Sequence, residues 1–239
     1  MAQLLAESER SPSLQYRDYW WYRARSEMLR TVIEPVIGAP KRILDVGSAD
    51  GPSVDWMCEL GRRTAVDLDL GALRPGDVQA SALDLPFGDG SFDAVTAFDV
   101  IEHCAPESRA VGELGRVLRP GGRMFLTVPA YQWAWSDFDR QQGHHRRYTR
   151  GRLCAALAPH GLVVERATYL FAGTLPLFAA ERVSRRWRHL DPEDVTRPPQ
   201  VSRLQERILM RLCRLDQRVL RDRDLPFGSS VLAIATKPA

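Results

Sequence analysis

The chain has 239 residues, 44% of them apolar and 26% charged, and its formal net charge is +3. That size suits one α/β domain with additions and leaves room for a well-buried core. The small charge argues against nucleic-acid partners, which need a concentrated basic face. The longest apolar stretch, residues 169–180, is broken by Pro176 and is too short to span a bilayer. The polar start of the chain is unlike a secretory signal. Cys58, Cys104, Cys154 and Cys213 form no CxxC pair, which predicts reduced thiols, a cytoplasmic protein and no structural zinc.

In chain order, residues 1–12 read as disordered. A helical pattern runs over 16–37 and is interrupted by Pro40. Residues 42–46 form a short apolar strand, and 53–60 a helix stopped by Gly61. A second strand covers 64–68. The turn signal Gly88-Asp89-Gly90 precedes a strand over 92–98. Residues 107–118 are helical up to Pro120-Gly121-Gly122, and a strand over 123–128 ends at Pro129. A helix over 150–159 and a strand over 162–169 follow, and 231–236 is a last strand. Between the last two strands lies an insertion, 171–223. It holds an Arg-rich helix (Arg182, Arg185, Arg186, Arg188), a Pro-rich break (Pro192, Pro198, Pro199) and an amphipathic helix over 201–220. Alternating helices and wholly apolar strands predict a parallel, doubly wound α/β sheet.

The segment Ile43-Leu44-Asp45-Val46-Gly47-Ser48-Ala49-Asp50-Gly51 joins a strand to a helix. Gly47 and Gly51 allow a tight turn and close approach to a ligand. The spacing is wrong for GxGxxG, and Asp45 stands two positions before the first glycine. A carboxylate there would repel a phosphate and suit a ligand carrying an ammonium and a sulfonium. The next strand ends in Val66-Asp67. A carboxylate at that tip is placed to accept from two ribose hydroxyls, with Asp69 as a competitor. Asp84 is placed to accept from an adenine amino group and Leu85 to pack on its ring, or Asp84 is only a turn residue. Asp99, Glu102 and His103 end the fourth strand on the same sheet edge. Glu102 and His103 read either as site residues or as a helix-start pair.

DVGSADG, AVDLD, ALDLPFGDGSFDAV, FDVIEH and LRPGGRMFLTVP, in that order, resemble the successive motifs of class I methyltransferases that use S-adenosylmethionine (SAM). The resemblance covers about residues 42–129. It implies a Rossmann-like, seven-stranded, mostly parallel sheet with helices on both faces. It also implies SAM as cofactor and S-adenosylhomocysteine as product. Asp45, Gly47, Ser48, Ala49 and Gly51 would form the methionine-side loop. Asp67 and Leu68 would hold the ribose, Asp84 and Leu85 the adenine, and Asp99 the methionine end. The sulfonium is already activated, so no metal is expected.

The acceptor side is expected after the fifth strand, with Trp133, Trp135, Asp137 and Tyr148 against the acceptor and His144 or His145 as base. The alternative is that residues 144–149 merely approach a helix, with Arg146 and Arg147 in ion pairs. In the N-terminal WWYRAR, Trp21 and Arg25 are expected either in a lid over the cofactor, with Arg25 on its carboxylate, or in a core-packed helix. WWYRAR, WSDFD…GHHRRYT and DLPFGSSVLAIATKP together resemble a bacterial subgroup associated with polysaccharide, glycolipid or secondary-metabolite pathways. The resemblance implies one domain over 1–239: a helical lid (1–40), a SAM-binding core (41–170), a helical cap (171–223) and a last strand (224–239). It implies methyl transfer to oxygen of a small-molecule, sugar or lipid-linked acceptor. N- or C-methylation and a non-catalytic SAM-binding role are the alternatives. Peripheral membrane contact is not favoured, and a monomer or homodimer is expected.

Overall fold

Seven segments pair into one sheet: β1 (Arg42–Val46), β2 (Arg62–Asp67), β3 (Val78–Gln79), β4 (Phe92–Phe98), β5 (Leu118–Pro129), β6 (Val163–Leu170) and β7 (Ser230–Thr236). The computed structural model describes residues 18–47, 51, 54–187 and 199–239. The strand order is β3-β2-β1-β4-β5-β7-β6. The first five strands run parallel, while β7 lies antiparallel between β5 and β6. This is the mixed, mostly parallel sheet expected of the α/β class. Residues Leu44, Val95, Phe125 and Leu232 are wholly buried, because helices cover both faces.

Six helices belong to the described residues: α1 (Trp20–Ile37), α2 (Glu107–Val117), α3 (Asp137–Gln141), α4 (Arg150–Leu157), α5 (Leu175–Trp187) and α6 (Arg203–Leu220). Helix α1 buries Ala24, Met28, Leu29, Val32 and Ile33, spaced three and four apart, and Gly38 at φ 75° ends it. Helix α2 buries Ala110, Val111, Leu114 and Val117 by the same rule. Helix α6 starts on a capping box, in which Ser202 and Gln205 satisfy each other's backbone N–H groups. It packs on α1 and buries Leu209, Cys213, Asp216 and Leu220. Its outward side carries Leu204, Ile208, Leu215 and Val219 in the open.

Several expectations change in detail. Within the helix expected over 53–60, the chain forms only a 3-10 turn, Asp55–Glu59, while residue 53 lies outside the described residues. Strand β3 was not expected; two half-exposed residues give no periodicity to read. Helix α3 was also missed. Helix α4 stops at Leu157, and a 3-10 turn, Ala158–His160, carries Pro159 before Gly161 at φ 68° closes it. The expectations for residues 1–12, Arg188, Pro192 and Pro198 lie outside the described residues.

Buried polar residues fix the register of the central strands. Asp45 faces Thr96 across β1 and β4, and Arg63 sits diagonally from it on β2. The Asp45 carboxylate is wholly buried. It accepts from Arg63 Nε at 2.9 Å and from the Thr96 hydroxyl at 2.7 Å. Burial alone would lower the Arg63 pKa, but the Asp45 charge more than reverses it. Arg63→Met removes the guanidinium from a buried carboxylate and should cost about 3–5 kcal/mol. Arg119→Ala breaks a half-exposed pair with Asp93 and should cost less than about 1 kcal/mol. Urea denaturation compares the two, and equal losses would reduce Asp45–Arg63 to the weight of a surface pair.

Candidate active site

The carboxyl ends of β1, β2, β4 and β5 form one edge, where ligands of open parallel sheets bind. Gly47 opens this edge at φ 73°, and its N–H donates to the Val66 carbonyl at 2.7 Å. A Cβ here would stand 2.5 Å from Val100 Cγ2, so only glycine fits. The glycine turn is thereby packed directly on the segment after β4. Ser48 and Ala49 lie outside the described residues. Gly51 is buried, and its carbonyl accepts from the Val54 and Asp55 N–H groups.

Asp45 needs correction. Its reading as the counter-charge of a cationic ligand fails because Arg63 already neutralises it inside the sheet. Asp67 ends β2 with its carboxylate half-buried at the edge, accepting from the Asp69 N–H at 3.0 Å. Its competitor Asp69 caps its own turn through the Gly71 N–H at 2.8 Å. Leu68 is 70% exposed. Asp84 is exposed in a turn, and Leu85 is buried beside it. Glu113 and Arg116 of α2 bond both backbone groups of Leu85 and so fix this loop.

Asp99 follows β4 at φ 60°, a conformation uncommon outside glycine. Its carboxylate meets Arg25 at 2.8 Å and accepts from the Thr127 hydroxyl at 3.2 Å. Arg25 also donates to Thr127 at 2.9 Å and lies over the Trp21 ring. Trp21 stacks on Phe171 with centroids 5.5 Å apart. Trp21 and Arg25 therefore pack α1 down on the sheet edge, and Arg25 already holds a carboxylate.

The segment after β5 folds around Asp139, which is wholly buried. Asp139 accepts from Arg147 Nε at 2.8 Å, from the Ser136 N–H at 2.9 Å, and meets His144 Nδ1 at 2.9 Å. Burial pushes its carboxyl upward, but the bonds from His144 and Arg147 hold it far below the usual carboxylate range. An ionised carboxylate can only accept, so the shared proton sits on His144 Nδ1. His144 and His145 diverge. His145 is exposed and holds the loop through its backbone N–H on the Glu102 carbonyl. The His144 ring instead meets His103 edge-on, with centroids 4.5 Å apart. Burial and the His144 ring push His103 down to about 4.

The expected acceptor contacts separate. Trp133 is 46% exposed and stacks on Tyr131, and Trp135 is half-buried. Asp137 is exposed and pairs with Arg140 of its own helix. Tyr148 is wholly buried, and its hydroxyl donates to Glu107. It is a core residue and out of reach of an acceptor.

Residues 44–126 match the methyltransferase domain family. The matched stretch spans the glycine turn, Asp67, Asp84 and Asp99. The demethylmenaquinone methyltransferase of Mycobacterium tuberculosis is 33% identical over 117 residues, 46% of this chain and 47% of that protein. The chain thus spans about half the length of the curated relatives it matches there. Two solved structures share the fold. A SAM dependent methyltransferase from Archaeoglobus fulgidus has a TM-score of 0.58 at 16% identity, covering 90% of this chain and 94% of the other. A 4+2 cyclase has a TM-score of 0.59 at 20% identity, covering 90% and 81%.

Glu102 is a residue that the sequence left undecided. It lies in the 3-10 turn Ile101–His103, two residues after Val100, which packs on the Gly47 turn. Its side chain is wholly buried, and neither carboxylate oxygen has a hydrogen-bond partner. Burial, then the Asp99 charge, pushes its pKa well above the usual range. Asp139, which the sequence offers as one more base candidate after the fifth strand, is instead wholly buried as the anion that orients His144.

Asp139→Asn should cost about 3 kcal/mol at pH 7, because Arg147 and His144 lose a buried anion. The folded-state pKa of Asp139 is depressed, so its contribution is complete above the unfolded value of about 4 and fades as pH falls below it. Denaturation midpoints from pH 7 to pH 3 should fall less steeply in Asp139→Asn than in the parent chain; parallel curves would mean that Asp139 is not held ionised.

Proposed function

We propose that this protein is a SAM-dependent methyltransferase acting on an oxygen of a small-molecule or glycan-type acceptor. The observation that carries this reading is the meeting of the methyltransferase domain's glycine turn with the Glu102–His103–His144 corner through Val100. The proposed cofactor edge and a polar, histidine-bearing corner thus adjoin at the carboxyl end of the sheet.

Each residue then has a part. The turn from Gly47 to Gly51, with Ser48 and Ala49, receives the methionine portion. Asp67 accepts from the ribose hydroxyls, with Leu68 beside it, and Asp84 with Leu85 receives the adenine. The Arg25–Asp99 pair offers one cation and one anion, which complement the carboxylate and ammonium of the cofactor's amino acid portion. Arg25 and Asp99 thus replace Asp45 as the charges presented to the ligand. Trp133 and Trp135 lie on the segment that would receive the acceptor.

Transfer is a direct displacement. The acceptor oxygen attacks the methyl carbon as the carbon–sulfur bond breaks, leaving S-adenosylhomocysteine. Positioning and water exclusion supply much of the rate. A hydroxyl must also lose its proton, and His144 Nε2 is the basic atom at the corner, its ring oriented by Asp139.

Isothermal titration with SAM and S-adenosylhomocysteine tests the cofactor. Both should bind, and Asp67→Ala should weaken both by about 10-fold or more, the loss of charge-assisted bonds to two hydroxyls. Absence of binding by either ligand overturns the proposal. Mass spectrometry of hydroxyl-bearing acceptors, including sugars and lipid-linked sugars, then reads transfer as a gain of one methyl group. Products methylated at nitrogen or carbon would favour the alternative acceptors. Tight cofactor binding without transfer to any acceptor would favour a binding protein on the same fold.

A further inference from the structure

We propose that Glu102, His103 and His144 bind a divalent first-row transition-metal cation. Three independent features carry this. First, these residues come from two separate segments, yet one ligand atom of each lies within 4.8 Å of the others. Among the described residues, this is the group of three or more His, Cys, Asp or Glu side chains so arranged. Second, both Glu102 carboxylate oxygens are buried without a hydrogen-bond partner. A buried carboxylate is normally bonded, and a cation is the partner that uses both oxygens at once. Third, the second histidine is already oriented. Asp139 accepts a hydrogen bond from His144 Nδ1–H, which turns Nε2 toward the other two ligands. Metal-bound histidines are held this way, with the other ring nitrogen on a carboxylate.

The ligand set selects the ion. Two imidazoles and one carboxylate suit manganese, iron, cobalt or zinc, and fit poorly with magnesium or calcium, which favour oxygen donors. Three protein ligands leave coordination positions open, as in catalytic rather than structural sites. His103 packs on His144 on one side and is open to solvent on the other, so the open coordination side faces solvent. The expectation of no metal rested on the already activated sulfonium; the fold brings His144 against His103, 41 positions earlier in the chain, beside Glu102.

The cation deepens the proposed reaction, and its role there rests on the oxygen-methylation reading. An acceptor hydroxyl bound to the cation is a stronger acid and gives its proton to water. The resulting oxygen attacks the methyl carbon, the carbon–sulfur bond breaks, and a methyl ether and S-adenosylhomocysteine result. His144 is then an anchor of the cation rather than the base. Acceptors with two neighbouring oxygens, such as vicinal diols, catechols or hydroxy acids, gain most, because they chelate.

Cobalt titration of the full chain after EDTA treatment and dialysis tests the site without any acceptor. One Co²⁺ per chain should bind with visible absorption typical of nitrogen and oxygen ligands. Glu102→Gln keeps the shape of the side chain and should weaken binding about 100-fold, as should His103→Asn, while Asp139→Asn should weaken it about 10-fold or more. His160→Ala, distant from the site on a hydrogen bond to Ser108, should bind as the parent does. Circular dichroism confirms folding, and a second absorption series with Mn²⁺ competing for bound Co²⁺ needs no variant. Sub-stoichiometric binding by the parent, or equal affinity in Glu102→Gln and His103→Asn, overturns the inference. SAM titration of the same samples separates the readings: cofactor binding without cobalt binding defeats the metal site alone.

Discussion

A buried carboxylate with three partners organises the acceptor side of this protein. Asp139 is shut away from water and can stay ionised only because Arg147, His144 and the Ser136 backbone surround it. Those bonds tie both ends of the 136–147 segment to one point. They turn the His144 ring toward His103 and send His145 outward. Without that anion, nothing in the local sequence would distinguish the two histidines.

The cofactor edge depends on a different constraint, close approach. Gly47 leaves no room for a Cβ against Val100, so the turn after β1 and the segment after β4 form one surface. Asp45 contributes inside the sheet, where Arg63 and Thr96 tie β1 to its two neighbours. Asp99 takes the outward position instead, with Arg25 brought down on it by α1. At this edge Arg25 and Asp99 hold each other, and the buried Glu102 carboxylate nearby has no hydrogen-bond partner.

The strands of the core were legible because they are apolar on both faces. β1, β4 and β7 stand where their mostly apolar runs put them, while β5 begins five residues earlier than expected, at Leu118, and runs through Pro120-Gly121-Gly122. What escaped was set by contacts distant in sequence. β3 exists because two residues pair with β2, which no local pattern reveals. The turn after Gly51 looks helical by composition, yet it closes as a 3-10 turn. Asp45 was misread because its counter-ion lies on the neighbouring strand, 18 positions away. Tyr148 and Asp137 sit in a polar, aromatic stretch that reads as site throughout, while the fold buries one and exposes the other. The motif order was the surest guide, since spacing along alternating strands and loops fixes which residues reach the edge.

Soaking or co-crystallising the protein with S-adenosylhomocysteine tests the central claim most directly. The account predicts the ribose at Asp67, the amino acid portion between Gly47 and the Arg25–Asp99 pair, and the sulfur facing the Glu102–His103–His144 corner. A ligand bound elsewhere, or one whose sulfur faces away from that corner, would contradict it.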